Sequence, residues 1–364
     1  MLKTMRAAAL AATIGLALLG PARAAETTVR PAVDGIFAAF QQHPLVGLGD
    51  AHGLAEEGEL YRQLVRDPRF AKEVGNVVVE FASAAHQDTL DRYLDGQDVP
   101  RAELRKVWSD VVGWSKPPGA MYAQFLAAVR EVNLKLPRAK RIKVWAGEPP
   151  ADWSAIKRRE DWEPLLLQRN SYPAAIIKDH ILDQGKKALV IYGALHFYAF
   201  PTPAGMHPRL GLKELVERRA PNAFYVVNPY FGFFQVGCSA RFEAATAWSP
   251  GSLMSPVKGT PLEGLLLRDG CTVGRPPTPA PGAPTIPPEV LARSQAGFVR
   301  LLSGADADAL LCLGPAASLT LSPDDPDLST DTVYAAEIQR RHAITDGSPD
   351  LHLVTKPRPY STRF

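Results

Sequence analysis

Five short apolar runs punctuate the first two thirds of this chain, each with a polar or turn-forming residue at or next to its end. They are residues 45–49 (LVGLG), 76–81 (NVVVEF), 142–147 (IKVWAG), 188–193 (ALVIYG) and 224–229 (FYVVNP), and a sixth, ADALLCLG, lies near the C-terminus. Runs this short, rich in Val, Ile and aromatic residues, read as buried strands. Longer amphipathic segments separate them. Residues 56–66 and 121–132 carry apolar side chains at helical spacing, with Leu60, Leu64, Phe125 and Val129 turned inward. Buried strands alternating with helices predict an α/β fold, a central and mainly parallel sheet flanked by helices. A further helix is expected over 164–184, opened by a first-turn proline, kinked at Pro173 and stopped before Gly185.

In an open parallel sheet, ligands and catalytic groups gather at the carboxyl ends of the strands. The first run is followed here by Asp50 and His52; the second carries Glu80, the third leads to Glu148 and the fourth to His196. Parallel strands would bring these distant residues to one rim. Each alone has an ordinary structural explanation. A histidine after a strand is commonly a hydrogen-bonded loop residue, and Glu80 or Glu148 can serve a helix start. Their joint pattern is more specific, because Gly-x-x-His occurs twice, as GDAH (49–52) and GALH (193–196), each time straight after a β-like run. Glycine permits the sharp exit that projects the imidazole over the rim. If a helix opens at Gly53, His52 and Glu56 share one face, as an orienting pair or as two metal ligands. His86 is a weaker candidate, and His43, His180, His207, His342 and His352 read as structural. The aromatic group Trp145, Trp153, Trp162, Tyr192, Phe197 and Tyr198 reads as core or pocket lining.

Other classes find little support. Residues 1–24 read as an export signal: Lys3 and Arg6 precede an apolar stretch, 7–20, and Ala22-Arg23-Ala24 offers a cleavage pattern. The stretch is shorter than the roughly 20 residues of a membrane span. The expectation is an exported chain, periplasmic or secreted, without a stable membrane anchor. Losing Lys3, Arg6 and Arg23 leaves 38 basic residues against 38 acidic ones. A neutral chain with no basic block argues against a nucleic-acid partner. GLGDAHG lacks the third glycine of a dinucleotide fingerprint, and neither G-x-S-x-G nor H-E-x-x-H is present. Of three cysteines, Cys238 and Cys271 form the preferred disulfide, and Cys312, within an apolar run, reads as a buried small hydrophobe. The proline-rich stretch 275–290 is expected as a surface loop within one α/β domain, 25–364, whose motifs fall in 45–200; the segment 291–364 is too small for its own core.

The motifs, in this order, resemble the superfamily that joins erythromycin esterases, ChaN haem-uptake proteins and Tiki/TraB proteins. GDAHGLAE resembles the esterase pattern Gly-Glu-x-(Thr)-His-Gly-x-x-Glu and sets Asp50, His52 and Glu56 on its polar positions. VVVEF supplies Glu80, IYGALHF supplies His196, and LLQRNSY resembles the arginine-bearing helix, giving Arg169 and Asn170. HQDTLDRYLDG is similar to a ChaN-like stretch in which a glutamine precedes Leu-Asp-x-Tyr-Leu-x-Gly. Asp50 replaces the usual glutamate, the threonine is missing, and Pro173 interrupts the arginine helix. The resemblance implies hydrolysis of an ester, lactone or amide in a small-molecule or peptide substrate. His52 or His196 would activate water, Glu56 and Glu80 would orient the imidazoles, and Arg169 would stabilise developing negative charge. It implies either no cofactor or a divalent metal on His52, Glu80 and His196. The alternative is haem or iron binding through His52, His196 or Tyr198.

Overall fold

The computed structural model describes residues 26–113, 119–199, 210–232, 238–246, 248–267, 300, 303–347 and 351–363. The export-signal and proline-rich-loop readings, and Cys271, fall outside these residues.

The sheet has eight strands: β1 (Thr28–Pro31), β2 (Leu45–Asp50), β3 (Asn76–Ser83), β4 (Lys143–Glu148), β5 (Ala188–Gly193), β6 (Phe224–Tyr230), β7 (Ser252–Ser255) and β8 (Ala309–Cys312). Their spatial order is β1-β7-β8-β6-β2-β5-β3-β4. The six strands expected from the sequence are mutually parallel, with Leu45 opposite both Ala188 and Phe224, and Asn76 opposite Lys143. β1 and β7 add an antiparallel edge that the sequence reading did not anticipate, since TVRP and SLMS carry too few apolar residues to stand out.

Burial on both faces explains the unbroken apolar runs. Val46, Leu48, Val77, Val79, Leu189 and Ile191 face one way, against the helices Ala32–Phe40, Ala55–Arg66 and Ala120–Leu134. Their neighbours Leu45, Val78, Val190 and Tyr192 face the other way, against Ile177, Ile181, Leu212 and Val216. β4 is an edge strand, and unpaired edges invite association. Here Gln87 covers it with a side chain that donates to Val144 O at 3.0 Å and accepts from Ala146 N at 2.8 Å. The glutamine of the HQDTLDRYLDG stretch therefore serves the sheet edge.

The helix expected over 164–184 is broken. A first helix runs Arg159–Leu166, with Pro164 inside it, because Asp161 accepts the Lys157 and Arg158 amides and starts the helix earlier. A second, Ser171–Ile176, holds Pro173 in its first turn, where a missing amide costs no bond. Arg169 and Asn170 lie in the turn between, and Gly185 closes the segment at φ 61°. In the C-terminal segment β8 joins the main sheet, the helix Thr332–Asp346 follows, and Thr320–Leu321 pairs with Arg358–Pro359. Cys238 is disulfide-bonded and Cys312 is a buried free thiol. Among the described residues no helix is long and apolar enough to cross a membrane.

Candidate active site

β2, β5, β3 and β4 lie side by side in that order, so their carboxyl ends form one continuous rim. Glu80 is its centre. The pairing of β3 with β4 shifts register between Val79 and Ser83, an irregularity of the kind that re-aims side chains. The Glu80 carboxylate is 1% exposed. Its Oε2 accepts the Gly193 amide and its Oε1 accepts Arg169 Nη2. His196 Nε2 lies 3.4 Å and His52 Nε2 3.9 Å from the same Oε1. A Cβ on Gly193 would come within 2.8 Å of the His52 ring and 3.2 Å of Glu80 Oε2, so the glycine of the second motif makes room for the histidine of the first. Burial alone would raise the Glu80 pKa, but His196, His52 and Arg169 together hold it well below the usual carboxylate range.

Behind His52 stands a second carboxylate. His52 Nδ1 is 2.8 Å from Asp50 Oδ2, which makes Nδ1 the protonated nitrogen and turns Nε2 toward Glu80. Tyr61 donates to Asp50 Oδ1 at 3.0 Å and Tyr122 donates to Oδ2. Burial, then the Asp50 charge, pushes both phenol pKa values far up, so both remain donors. The ring of His52 is 29% exposed, whereas Asp50 is 1% exposed. His196 is held differently. Its Nδ1 lies 2.5 Å from Asn170 Oδ1, and Asn170 Nδ2 donates to Leu210 O at 2.9 Å, which fixes the amide's orientation.

Glu148 and Arg169 complete the rim. Glu148 Oε2 accepts the Val112 and Gly113 amides at 2.9 and 3.1 Å, and Oε1 accepts Arg169 Nε at 2.6 Å. Burial dominates in raising the Glu148 pKa, opposed by Arg169 and reinforced by Glu80. A Cβ on Gly113 would collide with the guanidinium, so this glycine admits Arg169. With Nε on Glu148 and Nη2 on Glu80, the guanidinium locks the two carboxylates together.

Asp50, His52, Glu80, Glu148, Arg169 and His196 thus share one connected network. Glu56 does not join it in the expected way: its carboxylate accepts Thr320 N and Thr320 Oγ1, the latter at 2.7 Å. The neighbouring Glu57 turns inward instead, fully buried, with Oε2 accepting the Ala51 amide at 2.8 Å. Tyr61, Tyr122 and Glu57 were not anticipated as site residues; Glu57 and Tyr61, four apart on the same buried face as Leu60 and Leu64, carried the only sequence signal. His86 pairs with Asp110 at 2.7 Å, and Asp110 also takes Arg341, a separate network.

The C-terminal segment grips the rim loops. Tyr360 donates to Ala51 O at 2.5 Å, Ser322 N donates to Gly53 O at 2.7 Å, and Leu321 bridges Leu54. Arg341 donates to Ser109 O, and Arg340 to Trp153 O and Ile156 O.

A divalent ion does not fit these side chains. Arg169 occupies one Glu80 oxygen and the Gly193 amide the other, and among the described residues no group of three His, Cys, Asp or Glu could hold a metal. Axial ligation of haem fits no better at His196, whose nitrogens both face protein oxygens, or at Tyr198, whose hydroxyl is buried.

No protein-family model and no curated protein matches this chain. Solved structures similar to it include the C-terminal region of Pasteurella multocida toxin, described as holding a thiol-protease-like catalytic triad. It shares 12% identity over 54% of this chain and 24% of that one, at TM-score 0.37. The type III effector HopBA1 shares 17% over 57% and 88%, at 0.34. ChaN of Campylobacter jejuni, described with cofacial haem, shares 12% over 56% and 87%, at 0.35. The chain spans about a quarter of the toxin chain's length. Overlap at this level carries no argument about chemistry, which rests on the residues above.

Proposed function

We propose that the chain is a hydrolase that activates water with His52 and acts on an ester, lactone or amide. One observation carries this reading: two imidazoles, from two separate Gly-x-x-His turns, present their Nε2 atoms to one oxygen of a buried glutamate. Asp50 supports the proton that His52 takes up, as a carboxylate behind a general base does. His196, anchored through Nδ1 to Asn170 and lying 3.4 Å from Glu80 through Nε2, would donate to the leaving group or to the developing oxyanion by turning Nε2–H from that longer contact to the substrate. Glu80, kept ionised by its cationic neighbours, orders the two rings. Arg169 spends two nitrogens on Glu80 and Glu148, so its part is to hold the carboxylates rather than to serve as a mobile oxyanion donor. General-base assistance contributes roughly 10²- to 10⁴-fold, and positioning must supply the rest.

The test is a panel of ester, lactone and amide substrates, assayed with and without chelator. Turnover that survives chelator and falls at least about 10²-fold in both His52→Ala and His196→Ala supports the reading. Full activity in either variant overturns it, as does absent turnover combined with stoichiometric haemin binding whose Soret band is lost in His52→Ala.

A further inference from the structure

Two buried carboxyl groups stand together behind His52, and their donors are distributed unequally. Asp50 is met by three, the Tyr61 and Tyr122 hydroxyls and His52 Nδ1–H. Glu57, fully buried on the first turn of the helix Ala55–Arg66, takes the Ala51 amide at Oε2 and shares the Tyr61 hydroxyl with Asp50. Its Oε1 is sealed from solvent and meets no donor. An ionised Glu57 would set a second negative charge beside Asp50 with one oxygen unsolvated, an arrangement that adjacent buried carboxylates avoid by keeping a proton. Of the groups that face Glu57, Asp50 comes from β2, Tyr61 from its own helix and Tyr122 from the helix Ala120–Leu134, and the ring of His52 bonds to Asp50.

We propose that Glu57 is a positioning residue that holds a resident proton, so that Asp50 alone carries the negative charge behind His52. Burial first, and the Asp50 charge second, push Glu57 in that direction. As a neutral acid it still accepts the Ala51 amide and fixes the turn between Asp50 and His52. Its consequence for catalysis rests on the hydrolase reading, but the proton itself does not.

The experiment therefore needs no substrate. Infrared spectra of the wild-type protein and Glu57→Gln at neutral pH are expected to differ by one protonated-carboxyl band, present only in the wild type. In parallel, the His52 ring is titrated by NMR. Its midpoint should be nearly the same in Glu57→Gln, which replaces one neutral group by another, and should fall by about one pH unit in Asp50→Asn. No band difference, or a midpoint that falls as far in Glu57→Gln as in Asp50→Asn, overturns the proposal. Should Glu57→Gln fail to fold, the Glu57 carboxyl carbon is followed by NMR in the wild-type protein, where an ionised shift at neutral pH is the overturning result. Loss of the hydrolase reading alone would leave all these readouts in place.

Discussion

His52 and His196 leave neighbouring strands through the same four-residue motif, yet the groups behind them differ in charge. His52 is backed by Asp50, a carboxylate solvated by two phenols; His196 is backed by Asn170, an amide pinned to a backbone carbonyl. Both rings turn Nε2 toward one Glu80 oxygen. A carboxylate partner favours the imidazolium and so suits the ring to taking a proton, whereas an amide orients a ring without adding charge. The motif places the histidine; the residue behind it assigns the chemistry. Within the hydrolase reading, His52 is the base and His196 the donor.

The largest expected effect comes from removing the charged side of this pair. Asp50→Asn keeps the shape but takes the charge from behind His52. It should reduce kcat by roughly 10²- to 10⁴-fold, with the loss concentrated on the limb of the pH profile that reports the base. If Asp50→Asn matches wild-type kcat while Asn170→Ala abolishes turnover, the assignment of base and donor is reversed.

Arg169→Met breaks the clamp that lets Glu80 and Glu148 coexist. Stability should fall by about 3–5 kcal/mol in urea unfolding, the usual cost of leaving a buried charge without its partner. Two buried acids also make opposite signatures with pH. Glu80, lowered in the folded state, contributes stability that is present above the ordinary carboxylate pKa and lost as pH falls through its depressed value. Glu57, raised in the folded state, contributes stability that is full below the ordinary pKa and declines as pH rises, by up to about 1.4 kcal/mol per pH unit, until its raised value is passed. Relative to wild type, Glu57→Gln should therefore gain stability from mildly acidic to neutral pH. A constant difference across that range would mean that Glu57 titrates alike in the folded and unfolded states.

Asn170→Asp sharpens the comparison by giving His196 the partner that His52 has. With a carboxylate behind each ring the donor holds its proton more tightly, so kcat should fall. A kcat equal to that of the wild type would show that the amide's neutrality is immaterial.

The rim was legible in the sequence because strand ends are local signals: an apolar run, a glycine and a polar residue suffice to place Asp50, His52, Glu80, Glu148 and His196 at one edge once the strands are parallel. Partner choice was less legible. Glu56 and Glu57 are adjacent and chemically identical, and only the rotation of the helix Ala55–Arg66 sends one to Thr320 and the other to Ala51. The break that puts Arg169 in a turn comes from Asp161 capping, eight residues upstream, where the two prolines drew attention instead. Ties from the C-terminal segment were beyond reach, since Tyr360 and Ala51 stand 309 positions apart and nothing in either local sequence names the other.

The smallest expected effect tests those ties. Tyr360 is 2% exposed, and its hydroxyl donates to the carbonyl of Ala51, midway between Asp50 and His52. Tyr360→Phe keeps the packing against Phe231 and removes one hydrogen bond, a change of about 0.5–1.5 kcal/mol in stability. If the C-terminal segment steadies the His52 turn, kcat should fall by a small factor while KM holds, and the corresponding loss should be absent when the bond from Ser318 to Pro315 is removed at the segment's exposed surface by Ser318→Ala. Equal kinetic losses in the two variants would assign the segment to general stability and leave the His52 turn held by Asp50, Glu57 and Tyr122 alone.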